Sequence, residues 1–151
     1  MSKKCVIIVE NYDDGRNMPV RLRSCLVMKI QESAENYLET ILVISHRKGM
    51  VRSIDIVNEL EFSKPSVSVA MKNLRENGYI EMDKDGYIIL LDKGREIAEK
   101  IYERHTTLSK YLVALGVDPV VAAEDACRIE HVISAESFEA IKNHIKEKTG
   151  K

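Results

Sequence analysis

The chain has 151 residues, of which 44% are hydrophobic and 31% charged, which suits a soluble globular protein with one or two small helical domains. A net charge of −1 excludes a uniformly basic nucleic-acid binder, so any contact with DNA needs a segregated basic face or a bound cation. The cysteines, Cys5, Cys25 and Cys127, are odd in number and lack framework spacing, which argues for a reducing, cytoplasmic compartment rather than secretion. No stretch is long and apolar enough for a signal peptide or a membrane span, so no membrane partner is expected.

Residues 1–27 read as an N-terminal extension without a clear period. Val6 to Val9 could form a short strand and Asn11 to Asn17 a polar loop. Two expectations follow for this stretch: translation starts naturally at Met28, or the extension packs on a second copy or touches DNA. From Glu32 to about His46 the pattern is an amphipathic helix, with Leu38, Ile41, Leu42 and Ser45 on one face. Asn36 and Glu39 share another face and could point at one site, although a lone Glu39 is more often simply solvated. A basic turn, Arg47-Lys48-Gly49, follows.

Ser53 is placed as the cap of a short helix to Leu60, with Ile54, Ile56, Val57 and Leu60 on its apolar side. After the turn at Glu61-Phe62, Ser63 caps a second helix that tolerates Pro65 in its first turn and ends near Asn77-Gly78. Its Val67, Ala70, Met71 and Leu74 face inward, while Ser66, Ser68, Val69 and Lys72 face out. Such a pair of helices is a helix-turn-helix, and these outward residues are small and polar enough to enter a major groove. Basic residues gather here too: Arg47, Lys48, Arg52, Lys64, Lys72 and Arg75. Tyr79 to Met82 and Tyr87 to Leu91 then read as two strands around an Asp83-Lys84-Asp85-Gly86 turn. A hairpin directly after a helix-turn-helix is the wing of a winged helix.

Asp92 is placed as the cap of a long helix to about Leu115, with a stripe of Ile97, Ile101, Leu108, Leu112 and Leu115. His105 falls on that stripe, where a lone histidine is usually a satisfied core residue. Gly116-Val117-Asp118-Pro119 stops this helix and starts another, expected to run to about Ile133. On it Cys127, Glu130 and His131 stand at i, i+3 and i+4, beside an apolar stripe of Ala122, Ala126, Ile129 and Ile133. Half-buried charges at such positions need a partner, which a divalent metal would supply. An ordinary buried thiol with a solvated glutamate and histidine is the alternative. Ser134 caps a last helix through Phe138, Ile141 and Ile145. The segment 92–151 is too small to bury its own stripes, so it reads as a dimerisation module.

Three segments carry a resemblance: Glu35-Asn36-Tyr37-Leu38-Glu39-Thr40-Ile41, Ser63-Lys64-Pro65-Ser66-Val67-Ser68, and Glu124 to Val132 with its Cys127, Glu130 and His131. In these and in its element order the chain resembles the diphtheria-toxin-repressor family, which includes the manganese-transport regulators, in the short form without an SH3-like domain. The resemblance implies a mainly α fold, with a winged helix-turn-helix over 28–91 followed by a helical metal-binding and dimerisation domain over 92–151. It implies a metal-activated repressor of metal-homeostasis genes, and not an enzyme. Cys127, Glu130, His131, Glu39, His105 and Asn36 are its implied metal ligands. Asn36 stands where the iron type has methionine and the manganese type aspartate. Glu39 matches the manganese type and Cys127 the iron type, while Ser109 and Ala123 replace two ligands of the iron type's ancillary site.

A thiolate at Cys127 places Fe(II) first and Mn(II) second, with Co(II), Ni(II) or Zn(II) as substitutes. The DNA-facing set comprises Arg52, Ser63, Lys64, Pro65, Ser66, Ser68, Val69 and Lys72. A homodimer should read a pseudopalindromic operator in double-stranded DNA, with half-sites about one turn or a multiple apart. The competing expectation is a winged-helix regulator gated by a small organic ligand, which does not need the Cys127, Glu130 and His131 cluster. An enzyme is disfavoured because the chain shows no nucleophile motif or glycine-rich phosphate loop.

Overall fold

The computed structural model describes residues 20–149, with side chains described over 32–148. The expected strand at Val6 to Val9 lies outside the described residues. Backbone contacts divide the chain into two units, 1–31 and 32–151. Helix α1 spans Val20–Lys48. It therefore begins well before the expected Glu32, in a stretch that contains neither glycine nor proline to stop it.

Within 32–151 the helix-turn-helix is α2 (Ser53–Leu60) and α3 (Lys64–Glu76). Here α2 is capped by Arg52 rather than Ser53, because the Asp55 carboxylate reaches back to accept the Arg52 N–H at 2.9 Å. Ser63 caps α3 as expected, accepting the Ser66 N–H at 3.3 Å, with Pro65 in the first turn. The wing is β1 (Ile80–Met82) and β2 (Ile88–Leu90), antiparallel with Ile80 opposite Leu90 and Met82 opposite Ile88. Its turn closes on Asp83, whose carboxylate accepts the N–H groups of Asp85 and Tyr87 at 2.9 and 2.8 Å. Gly86 takes the left-handed conformation (φ 79°) that the turn requires. A further bond, Ile88 N–H to the Val51 carbonyl at 2.8 Å, ties the wing to the segment before α2.

Helix α4 (Asp92–Ala114) starts from Leu91, so Asp92 is its first residue rather than its cap. Helix α5 is Pro119–Ile129, capped by Asp118 through the Val120 and Val121 N–H groups at 2.9 and 3.3 Å. It stops four residues short of the expected Ile133, so Glu130 is its C-cap and His131 lies in the following turn. The Glu130 N–H still bonds the Ala126 carbonyl at 2.9 Å, which keeps the last turn nearly helical. Ser134 caps α6 (Ala135–Thr149) by accepting the Ser137 N–H at 3.1 Å.

Two cores result. The larger gathers Leu38, Ile41, Leu42 and Ile44 of α1 with Ile56, Val67, Met71, Leu74, Ile80 and Ile88. A smaller one joins Leu108, Ala126 and Phe138 from α4, α5 and α6. Leu115, expected inside the α4 stripe, is 59% exposed, and Val113, Val120 and Val121 near it are exposed as well.

Candidate metal centre

Every residue of the expected DNA-facing set is exposed: Arg52, Ser63, Lys64, Pro65, Ser66, Ser68, Val69 and Lys72. Arg52 lies over the Tyr87 ring of the wing, 4.4 Å from its centroid. The wider basic surface is smaller than the sequence suggests. Arg47 pairs with Glu59, and Lys48 with Asp55 at 2.6 Å, so those charges bind α1 to α2 instead of facing outward unopposed.

The metal-ligand candidates come from three helices. Glu39 on α1, His105 on α4 and Glu130 at the end of α5 have ligand atoms all within 4.8 Å of one another. Glu130 is the centre of this group and is completely buried. His105 Nδ1 is 2.8 Å from Glu130 Oε2, and His131 Nε2 is 3.4 Å from Glu130 Oε1. That second oxygen has no hydrogen-bond partner. A buried carboxylate oxygen without a donor is costly by roughly 1–3 kcal/mol; a bound cation would satisfy it, as would a proton shared with the neighbouring Glu39 carboxyl. On this observation the residues fit a divalent metal.

The electrostatics agree. Burial and the neighbouring Glu130 carboxylate push the Glu39 carboxyl up from 4.5 to about 7. The hydrogen bond to Glu130 raises His105, against an opposing effect of burial. For His131 burial is the largest influence and lowers its pKa, but the bond to Glu35 and the charges of Glu130, Glu35 and Glu32 outweigh it. Without metal the cluster thus holds extra protons that a cation would displace.

Cys127 departs from the expected half-buried position. It is exposed at the edge of the group, yet burial of its inner side and the charges of Glu130 and Glu39 raise its thiol pKa. Glu130 keeps a helical backbone at the C-cap (φ −56°, ψ −33°) and is completely buried, whereas Cys127, one turn earlier on the same helix, is exposed. Asn36 Oδ1 accepts from Thr40 Oγ1 at 3.5 Å. His105 is no inert core residue, since its ring is half-buried against Glu130.

Two residues of the site escaped the sequence reading. Glu35 Oε2 lies 3.0 Å from His131 Nδ1, and buried Arg104 donates from Nη1 to the Glu130 carbonyl at 2.8 Å. Glu35 stands four residues before Glu39 and so shares its helical face, a signal the spacing offered. Nothing in the pattern announced the burial of Arg104. It satisfies one of the free carbonyls at the end of α5 and stacks on Phe138, 5.7 Å from the ring centroid. Beside the group opens a cleft of about 260 Å³ lined by Glu39, Thr40, Val43, Glu59, Tyr102 and His105.

Two family descriptions match the chain. The N-terminal DNA-binding domain of iron-dependent repressors matches residues 29–88, and their metal-binding and dimerisation domain matches residues 91–149. The transcriptional regulator MntR of Escherichia coli O6:H1 is 32% identical over 112 residues, 74% of this chain and 72% of that protein. An HTH-type transcriptional regulator MntR of Listeria monocytogenes is 34% identical over 109 residues, 72% of this chain and 77% of that one. Among solved structures, the manganese regulator SloR superposes with a TM-score of 0.67 at 25% identity over 75% of this chain. A manganese-dependent transcriptional repressor in complex with manganese gives 0.67 and 25% over 78%. The chain spans about half the length of these two solved proteins, 53% and 52%. With both domain descriptions covering most of its length and curated relatives above 30% identity, the chain belongs to the iron-dependent repressor family of metal-dependent, DNA-binding transcriptional regulators.

Proposed function

We propose that the chain acts in the cytoplasm as a homodimeric repressor of metal-homeostasis genes, with Fe(II) first and Mn(II) second as its activating ion. The observation that carries this reading is the buried Glu130 carboxylate, whose Oε1 has no donor although Glu39, His105 and His131 surround it. Glu39, His105 and Glu130 form the oxygen-and-imidazole set that suits either ion. His131 closes the group from the other side of Glu130. Cys127, at its edge, is the residue that favours Fe(II) over Mn(II), and Asn36 is its weakest member. When bound, the divalent cation supplies the positive charge that lets Glu39 and Glu130 stay ionised side by side.

The path to DNA runs through α1. Its Glu39 belongs to the group, and two turns on, its Arg47 and Lys48 grip Glu59 and Asp55 of α2. Fixing α1 against α4 and α5 therefore fixes the helix-turn-helix and reduces the ordering cost of DNA binding. Coupling of this kind is worth about 1–3 kcal/mol, roughly 5–150-fold in affinity. Lys64 and Lys72 contact phosphate; Ser66, Ser68 and Val69 reach base edges, Val69 against a thymine methyl. Ser63 and Pro65 set the start of α3, and Arg52 lies beside the wing. The exposed Val113, Leu115, Val120 and Val121 support pairing between copies, and a twofold dimer reads a pseudopalindrome.

The test is fluorescence anisotropy of the purified protein on its own upstream DNA, run anaerobically with Fe(II), with Mn(II) and with excess chelator. Binding only with metal is expected, tighter with Fe(II). Equal binding in chelator would overturn the metal reading and favour a regulator gated by a small organic ligand.

A further inference from the structure

His131 presents its two ring nitrogens to two different carboxylates. Nδ1 lies 3.0 Å from Glu35 Oε2 and is hydrogen-bonded to it. Nε2 lies 3.4 Å from Glu130 Oε1 without bonding it, because that oxygen has no partner. An ionised carboxylate only accepts, so the hydrogen between Glu35 and His131 sits on Nδ1. A neutral imidazole so held carries its lone pair on Nε2, the nitrogen turned toward the ligand group. The bond is long-range, joining residues 96 apart, and both side chains are largely buried, at 5% and 16% exposure.

We propose that Glu35 is a positioning residue, which fixes His131 in the Nδ1–H tautomer and aims Nε2 at a metal ion bound by Glu130. The proposal rests on the metal-site reading above and adds a residue to it. Glu35 and Glu39 are one turn apart on α1, so one helix face provides a carboxylate for the ion and another for its histidine. His105 is held differently, with Nδ1 against Glu130 itself at 2.8 Å. An imidazole whose tautomer and orientation are already set loses less freedom on binding and donates more strongly. Removing such a partner typically lowers metal affinity about 10–100-fold.

The experiment titrates full-length, metal-free protein with Mn(II) and with Co(II), comparing wild type, Glu35→Ala and Glu35→Gln. The His131 tautomer is read in parallel from imidazole nitrogen chemical shifts in the metal-free state, at a pH above its raised pKa where the ring is neutral. Glu35→Ala is expected to lose the Nδ1–H preference and to bind both ions about 10–100-fold more weakly. Glu35→Gln retains an acceptor oxygen and should keep the tautomer and most of the affinity; being isosteric, it carries the test if the alanine variant folds poorly. Unchanged affinity and tautomer in Glu35→Ala would overturn the role of Glu35. So would a weakened Glu35→Gln whose His131 keeps the Nδ1–H form. A wild-type protein that takes up neither ion would instead overturn the metal-site reading on which the proposal stands.

Discussion

Glu130→Gln keeps the shape of the buried side chain and removes its charge, and it should separate stability from function. In the metal-free protein, Glu130 Oε2 faces His105 while Oε1 is left without a donor. An unsatisfied buried acceptor costs roughly 1–3 kcal/mol. Glu130 is also the second cause, after burial, of the rise in Glu39 from 4.5 to about 7. The amide oxygen of glutamine can still accept from His105, while its N–H faces His131 Nε2. Allowing for the weaker bond to His105, the metal-free variant should gain about 1–2 kcal/mol, or about 2–8 °C in melting temperature for a chain of this size. Wild type should gain about 2.7 kcal/mol from an ion at a hundred times its Kd, about 5–11 °C, and the variant none. Differential scanning calorimetry with chelator and with Mn(II) should therefore show the order of the two proteins reversing. A variant that melts below wild type without metal, or rises with it equally, would refute this reasoning.

The pH dependence has a definite sign. Glu39, His105 and His131 all have raised pKa values in the fold. Their stabilisation is fully present below about pH 4.5 for the carboxyl and 6.5 for the histidines, and is lost as pH rises through about 7 for Glu39 and through the raised pKa values of His105 and His131. Metal-free protein should thus melt lower at pH 8 than at pH 6; a flat or rising profile would contradict the assignment. Cys127→Glu should move activation toward Mn(II), seen as an altered ratio of Mn(II) to Fe(II) needed for half-maximal DNA binding, and an unchanged ratio would remove Cys127 from metal selection. Gly94→Ala places a Cβ into the Tyr79 carbonyl and should destabilise the protein by about 1–3 kcal/mol in urea unfolding, without altering which metal is preferred. Lys72→Ala should weaken DNA binding on every sequence alike and reduce the salt slope by about 1.

The helix-turn-helix and wing were readable because their signals are local. Ser63 with Pro65 marks the start of α3, and the Asp83 to Gly86 turn marks the hairpin. Glu39, His105 and Glu130 come from three separate helices, and periodicity by itself left Glu39 solvated and His105 in a core. The family resemblance joined them, and the fold brings them within reach of one ion. Spacing along α5 suggested that Cys127, Glu130 and His131 act as one unit. In the fold Glu130 is completely buried and His131 lies in the turn after α5, while Cys127 is exposed. Arg104 was invisible for a related reason: its partner is a backbone carbonyl, which no side-chain pattern records.

The cleft beside Glu39 and His105 bears on time rather than affinity. A site sealed on every side gives up an ion only when part of the fold opens, so release waits on local unfolding. A site with one wall open to water can be reached by a competing small ligand while the fold stays intact. Exchange by that route would follow the free concentration outside and need not wait for the fold to open.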